Sequence, residues 1–71
     1  MSNTPSLTPD DLIRLLQKHG FVLMRTKGSH RIFKNQATGK MTVVPMHKRN
    51  LPKGTMLAIL KQAGIDKEEL R

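Results

Sequence analysis

The sequence predicts a single small α+β domain with the element order α-β-β-β-α, in which a three-stranded antiparallel sheet carries both helices on one face. Apolar residues recur at helical spacing near each end of the chain, over Leu12–Leu16 and over Met56–Ala63. Between them lie three short strand-like segments joined by short loops, which is typical of an antiparallel meander. Each helix has one apolar stripe, so packing both helices on one sheet face buries the stripes and leaves the other face open. We expect this domain to span residues 8–71, after a flexible tail at residues 1–7.

The first predicted helix has a clear start and a clear end. Thr8 can act as its N-cap, Pro9 suits the first helical position, and Asp11 lies where a capping box places its acid. Gly20 is predicted to end the helix in a left-handed conformation, after which Phe21 returns onto the apolar stripe.

The central segments predict three strands and two different connections. The strands are predicted at residues 21–27, 30–34 and 40–45. Gly28 and Ser29 form a tight turn between the first two strands, and residues 35–39 form a looser loop. Alternation along the second strand puts Arg31 and Phe33 on the helix side and His30 on the open side.

The second helix is predicted to open at Pro52, with Asn50 or Leu51 as its N-cap. Gly64 is predicted to end this helix, and Ile65 packs back onto it by the same capping geometry that ends the first helix.

The charge distribution predicts a polyanionic partner. The formal net charge is +8 and the pI is near 10.7, and a surface of this kind attracts phosphate groups. The acidic residues all lie near the two ends of the chain: Asp10, Asp11, Asp66, Glu68 and Glu69. The basic residues between them do not follow one amphipathic helix, which favours nucleic acid over a membrane surface.

Composition excludes several other classes of protein. The chain has no cysteine, so it has no disulfide and no thiolate zinc site, which is compatible with a cytoplasmic location. Its longest apolar run, Met56–Leu60, is far shorter than the ~20 residues that a membrane-spanning helix needs. Phe21 and Phe33 are its only aromatic residues and both are expected in the core. Binding by shape and charge is therefore favoured over binding by base stacking.

The segment Arg25–Arg31, with the sequence RTKGSHR, is the candidate site. No carboxylate lies near it in the sequence, so the ligands of a magnesium-dependent nuclease are missing. RNA can be cut without a metal because its 2′-hydroxyl is a nucleophile beside each phosphodiester, and histidine exchanges protons near neutral pH. His30 is therefore a candidate general base, with Lys27 and Arg31 as groups that stabilise phosphate charge.

The same residues also have a simpler interpretation. Gly28 and Ser29 permit close approach to a phosphate, but a hairpin turn needs the same residues, and His30 is equally compatible with an ordinary exposed strand position. His47 is a candidate phosphate contact or second proton-transfer group. The residues alone leave open whether the chain cuts RNA or only binds it.

Four segments of the chain resemble one known family. LIRLLQKHGF, KGSH, TVVP and LPKGTMLAILKQAGI, which together extend from Leu12 to Ile65, are similar to the HicA toxin family of bacterial toxin–antitoxin pairs. The resemblance implies a fold like that of double-stranded RNA-binding domains. It also implies an mRNA endonuclease that acts without the ribosome and stops translation and growth, and a HicB-type antitoxin that masks the active face.

The resemblance also implies particular roles for residues of the candidate site. His30 matches the catalytic histidine of the family, and Gly28 and Ser29 match the turn before it. Arg31 and Ile32 stand where the family often has further histidines. The segment Val44–His47 is similar to a proline-histidine stretch of the family, which implies an RNA contact for His47.

The predicted function is that of a type II toxin: a metal-independent mRNA endoribonuclease with no cofactor, whose partners are mRNA and a HicB-type antitoxin and which does not bind membranes. The alternative is a non-catalytic nucleic-acid-binding module, which accounts for the charge and the fold equally well. Besides His30, the predicted RNA contacts are Arg25, Lys27, Gly28, Ser29, Arg31, His47, Lys48, Arg49 and Lys53.

Overall fold

The fold has the predicted order of helices and strands. A computed structural model describes residues 7–46 and 49–70, with α1 at Pro9–Lys18, β1 at Phe21–Lys27, β2 at His30–Asn35, β3 at Met41–Pro45, α2 at Lys53–Ala63 and a 3-10 turn at Lys67–Leu70. The strands form one antiparallel sheet in the order β1-β2-β3, which confirms the predicted α+β class. Apart from Leu7, the predicted tail lies outside the described residues. No helix of the described part is long and apolar enough to cross a bilayer.

The start of α1 is the predicted capping box. The Thr8 Oγ1 atom accepts a hydrogen bond from the Asp11 backbone N–H at 3.1 Å, and the Asp11 Oδ2 atom accepts one from the Thr8 N–H at 3.2 Å. Pro9 occupies the first helical position, where no N–H is required. The two reciprocal bonds satisfy donors that a helix start otherwise leaves to water.

Replacing Thr8 with alanine is expected to lower the free energy of unfolding by about 1 kcal/mol, because the Asp11 N–H loses its acceptor. Thr8→Ser keeps an acceptor oxygen and should stay close to wild type. Urea unfolding followed by circular dichroism measures both variants. Equal stability of the alanine and serine variants would show that the capping box does not stabilise the domain.

The same contacts make part of the stability depend on pH. The Thr8 backbone N–H, followed by its hydroxyl and by Arg14, holds the pKa of Asp11 below its ordinary value. The stabilisation from Asp11 is therefore present above its ordinary pKa and is lost as the pH falls through the lowered folded-state pKa. Asp11→Asn should thus be less stable than wild type near pH 7 in urea unfolding, with the difference closing as the pH falls below the ordinary range of an aspartate pKa.

The start of α2 differs from the prediction. The helix begins at Lys53, and Pro52 is its N-cap, with φ −56° and ψ 142° and no side-chain capping bond. Neither Asn50 nor Leu51 caps it, because the extended ψ of Pro52 places the helix boundary one residue later. Leu51 is instead a buried core residue.

The end of α2 is as predicted. Gly64 adopts a left-handed conformation with φ 72°, and the Ile65 N–H donates to the Leu60 oxygen at 2.9 Å. Ile65 and Leu60 are both buried, so the residue after the glycine packs back onto the helix.

The core lies between the two helices and one face of the sheet. The buried apolar residues of the described chain are Leu12, Ile13, Leu16, Phe21, Phe33, Val44, Leu51, Met56, Ile59, Leu60, Ala63 and Ile65. Thr42 is also buried, and its hydroxyl donates to Gln62 Oε1 at 2.9 Å. This bond holds the C-terminal half of α2 over the start of β3.

Both helices begin at the same end of the sheet. The side-chain Nδ2 of Asn35 donates to the His19 oxygen at 2.9 Å, so α1 ends where β2 ends. The Leu51 N–H donates to the Leu7 oxygen at 2.8 Å, which joins the segments that lead into the two helices. The N-termini of α1 and α2 therefore lie at the end of the sheet that carries the turn between β1 and β2.

Candidate nucleic-acid interface

The turn between β1 and β2 is the tight two-residue connection that the sequence predicts. Lys27 pairs with His30 across it, and Gly28 has a φ of 59°. A glycine with positive φ at the first central position fits a type II′ turn, which matches the twist of the strands it joins. A Cβ atom on Gly28 would meet nothing within 4 Å, so the turn is open to solvent.

The end of β3 is fastened to this turn. The Met46 N–H donates to the Ser29 oxygen at 2.6 Å, and Pro45 pairs with His30. The turn and the end of β3 thus form one continuous rim, which we call the turn end of the sheet. His47 and Lys48 follow directly in the sequence but lie outside the described residues, so their predicted roles stay predictions.

His30 is exposed at the turn end and faces away from the helices. Phe33 lies three residues further along β2 and therefore points to the opposite face. It is buried on the helix side with 1% exposure, as the alternation predicts. Lys27 lies directly opposite His30 on β1, and directly opposed residues of an antiparallel pair share a face. The structure therefore brings a cation next to the histidine.

A β-bulge in β1 puts a second cation on the same face. Leu23 pairs with Phe33, but Arg25 pairs with Ile32, so Met24 has no partner in the register. Strict alternation from the buried Phe21 would have turned Arg25 towards the helices. The bulge instead places Arg25 opposite Ile32. Arg25 therefore lies on the sheet face away from the helices, which we call the open face, in the cross-strand pair next to Lys27 and His30 on that face.

Arg31 does not share the face of His30. It pairs with Thr26 on one side and with the buried Val44 on the other, and it is half-buried on the helix side of the sheet. The predicted pair of cations beside His30 is thus Lys27 and Arg25 in the structure. Arg31 also lies near the turn end, but on the helix side of the sheet.

The start of α2 adds further positive charge to the turn end. Arg49 and Lys53 are both exposed, and the first turn of α2 has neither an acidic residue nor a side-chain cap. The backbone N–H groups of a helix start carry partial positive charge. Gly54 has nothing within 4 Å of a built Cβ atom, so this helix start is accessible.

The sheet, and not distance along the chain, separates the acidic residues of α1 from His30. Asp10 and Asp11 lie in the first turn of α1, which is at the turn end of the sheet but on its helix side. The Asp11 carboxylate accepts a hydrogen bond from the Thr8 N–H and is paired with Arg14. The three strands contain no carboxylate, so they add no acid to the open face. The sheet itself separates that face from Asp10 and Asp11.

His19 lies at the opposite end of the sheet and forms no part of this surface. It is the C-cap of α1, and its Nε2 atom lies 3.5 Å from Glu69 Oε1 in the 3-10 turn. Among the described residues, no group of three or more histidine, aspartate or glutamate side chains could hold a metal ion.

Comparison with known proteins supplies the family. The family described as the HicA toxin of bacterial toxin–antitoxin systems matches residues 9–65, which is most of the 71-residue chain. A search of curated proteins finds no match. The matched range contains both helices, the whole sheet and the turn end that carries His30. The chain therefore belongs to the HicA toxin family of bacterial toxin–antitoxin systems.

Proposed function

We propose that the chain is the mRNA endoribonuclease toxin of a type II system, acting in the cytoplasm, with His30 as its general base. The observation that carries the proposal is the placement of an exposed histidine directly opposite Lys27 at an open turn. The surrounding sheet face has cations and no acids. The chain belongs to a toxin family, and cutting mRNA at such a surface would stop growth.

The proposed reaction uses the nucleophile that RNA itself contains. The His30 imidazole accepts the proton of a 2′-hydroxyl, the 2′-oxygen bonds to the adjacent phosphorus, and the bond from phosphorus to the 5′-oxygen breaks. The leaving oxygen takes a proton from water, and the phosphate remains as a 2′,3′-cyclic diester. Every proton in this scheme moves through side chains or water, so the scheme requires no metal ion.

The cations have separate proposed roles because they lie at separate positions. Lys27 is closest in the register to His30 and stabilises the charge that develops on the phosphate oxygens. Arg25 binds the next phosphate along the open face. Gly28 and Ser29 allow the RNA backbone to approach the turn closely.

A second group of proposed contacts approaches from the helix side of the turn end. Arg31, Arg49 and Lys53 bind phosphates there, together with the exposed start of α2. The two groups of cations would grip the RNA backbone from both sides of the sheet, with His30 between them. His47 and Lys48, which lie outside the described residues, remain proposed contacts.

The family also supplies a protein partner. A HicA toxin is one half of a toxin–antitoxin system, so the chain has an antitoxin. We propose that this antitoxin is of the HicB type and that it silences the toxin by masking His30.

Time-dependent fragmentation of RNA by the purified chain tests the proposed activity. We expect cleavage of an unstructured mRNA without ribosomes, at a rate that a chelator such as EDTA does not change, because no metal enters the scheme. Loss of cleavage on chelation, with recovery on adding Mg²⁺, would contradict the metal-independent mechanism.

The same assay separates the toxin from the non-catalytic alternative. A pure binding module would shift the mobility of the RNA and leave its length unchanged. Binding without fragmentation over many hours, by a chain whose circular dichroism is that of the folded domain, would favour that alternative.

A further inference from the structure

Pro45 lies directly opposite His30 on the neighbouring strand, and the proposed reaction gives it no role. The two residues are partners in the register of β2 and β3. Directly opposed residues of an antiparallel pair share a face of the sheet, so the Pro45 ring and the His30 imidazole both lie on the open face. The distance between the two side chains depends on which pairs of these strands exchange backbone hydrogen bonds.

The hydrogen bonds at the two ends of this strand pair fix the phase of the ladder between them. The Met46 N–H donates to the Ser29 oxygen at 2.6 Å, and the Asn35 N–H donates to the Lys40 oxygen at 2.9 Å. Hydrogen-bonded pairs recur at every second residue of an antiparallel ladder, and both ends set the same phase. The odd-numbered residues of β2 therefore bond to β3, and the even-numbered residues bond to β1.

This phase makes the proline the nearest cross-strand neighbour of the imidazole. His30 directs its backbone N–H and C=O groups to β1, where it pairs with Lys27. Its pair with Pro45 on β3 is therefore not hydrogen-bonded. The Cα atoms of such a pair are about 4.5 Å apart, against about 5.5 Å for a hydrogen-bonded pair, and its side chains lie closer together.

A proline is compatible with this position because β3 is an edge strand. The backbone nitrogen of Pro45 points away from β2, towards the free edge, so its missing N–H leaves no bond of the ladder unmade. A proline side chain also loses no rotamer freedom when it packs on a neighbour. The ring is therefore a rigid wall on the β3 side of His30.

The burial of the open face agrees with a contact between the ring and the imidazole. Along β3, the exposed fraction is 53% for Met41 and 41% for Val43, but Pro45 on the same face is less exposed and half-buried. Ile32, two residues from His30 on that face, is also half-buried. The histidine thus lies in a corner formed by two apolar side chains, which opens towards the turn.

We infer that Pro45 is a positioning residue for His30. Strand side chains commonly populate two χ1 rotamers, and the ring excludes orientations of the imidazole that lean over β3. The imidazole is thereby directed towards Lys27 and the turn, where the scissile phosphate lies in the proposed reaction. A general base must come within about 2.6–3.2 Å of the proton's parent atom, so confining the ring raises the rate. The effect on rate rests on the proposed function, whereas the packing of the two rings does not.

Substitutions of the proline test its effect on the reaction. Pro45→Ala removes the ring and should lower kcat for cleavage of a short labelled RNA about ten- to a hundredfold, with KM unchanged, because the ring orients the base and binds no RNA. Pro45→Val restores an apolar side chain that suits a strand and should recover most of the rate. Val43→Ala is the matched control, because it truncates a side chain of the same strand and face that lies opposite Ile32, and it should cut normally.

A double-mutant cycle separates positioning from general damage to the site. In a chain that already carries His30→Ala, adding Pro45→Ala should leave the residual rate unchanged, because no imidazole remains to be directed. A further loss as large as the one seen with His30 present would overturn the inference, since the proline would then act on something else. Wild-type cleavage by Pro45→Ala, with slow cleavage by His30→Ala, would overturn the inference and leave the proposed function standing.

An NMR measurement on the chain without RNA tests the packing itself. We expect nuclear Overhauser contacts between the imidazole and the Pro45 ring protons, and three-bond couplings that report one χ1 rotamer for His30. The couplings should become averaged in Pro45→Ala and return to one rotamer in Pro45→Val. Averaged couplings in the wild-type chain would overturn the inference, whatever the chain does to RNA. A single rotamer that depends on the proline, in a chain that never cuts RNA, would support the packing and remove the proposed activity.

Discussion

Replacing His30 with alanine is expected to slow RNA cleavage by about 10²–10⁴-fold, the range that a positioned general base contributes. The residue is exposed and is not one of the buried residues of the core. The melting temperature should therefore stay within a few degrees of wild type, as for other surface substitutions. Single-turnover cleavage of a labelled RNA, with circular dichroism melting in parallel, measures both effects.

Two comparisons make this experiment specific to proton transfer. His30→Gln keeps a polar side chain of similar reach but cannot exchange a proton in the neutral range, so it should be as slow as the alanine variant. Gln36→Ala changes an exposed residue in the loop at the far end of the sheet and should cut at the wild-type rate. Cleavage by His30→Ala at the normal rate would remove His30 from the mechanism.

Replacing Phe33 with alanine is expected to cost about 3–5 kcal/mol of unfolding free energy, the usual cost for a buried phenylalanine. Its ring is 1% exposed and belongs to the core cluster that contains residues of both helices. Stabilities of natural domains are about 5–15 kcal/mol, and a domain this small buries less surface than most. A large share of the variant should therefore be unfolded near 37 °C.

Thermal melting measures this loss directly. The melting temperature should fall by more than about 10 °C, since each kcal/mol shifts a domain of this size by roughly 4–8 °C. Val43→Ala is the control, because it truncates a β3 side chain on the open face that is 41% exposed and should cost much less. A Phe33→Ala melting temperature close to that of the control would mean that the core does not depend on this ring.

Most of the fold follows from local patterns that act within a few residues. The capping box at Thr8, the glycine at position 64 and the turn at Gly28 each depend on short-range geometry, and the structure has all three. The boundary at Pro52 was wrong by one residue, because proline is acceptable both as an N-cap and at the first helical position. Leu51 is buried in the core, which is a tertiary contact that local patterns do not show.

The candidate site was harder to predict than the fold because it depends on which residues lie opposite one another. The sequence singles out Lys27 and Arg31 as the cations around His30, since both are close to it along the chain. Pairing across strands keeps Lys27, sends Arg31 to the helix side and brings in Arg25 through a bulge. In the structure a strand of seven residues faces one of six, and the bulge takes up the difference; the sequence gives no signal for it.

The separation of acids from bases shows the same limit. In the sequence, Asp10 and Asp11 are remote from the turn that carries His30, but the two helices start at the same end of the sheet as that turn. What keeps the open face free of carboxylates is the sheet itself. The sequence correctly predicts that no carboxylate lies beside His30. Its reason, distance along the chain, does not hold for Asp10 and Asp11, which the sheet separates from the open face.

The unpaired Met24 means that β1 consists of two halves whose alternation is out of phase. The half that begins at Phe21 is in phase with the core, and the half that ends at Lys27 is in phase with His30. A chain one residue shorter at this point would keep every other side chain on its present face. The directions of the side chains in the core-facing half and in the half that ends at Lys27 therefore do not depend on the presence of Met24.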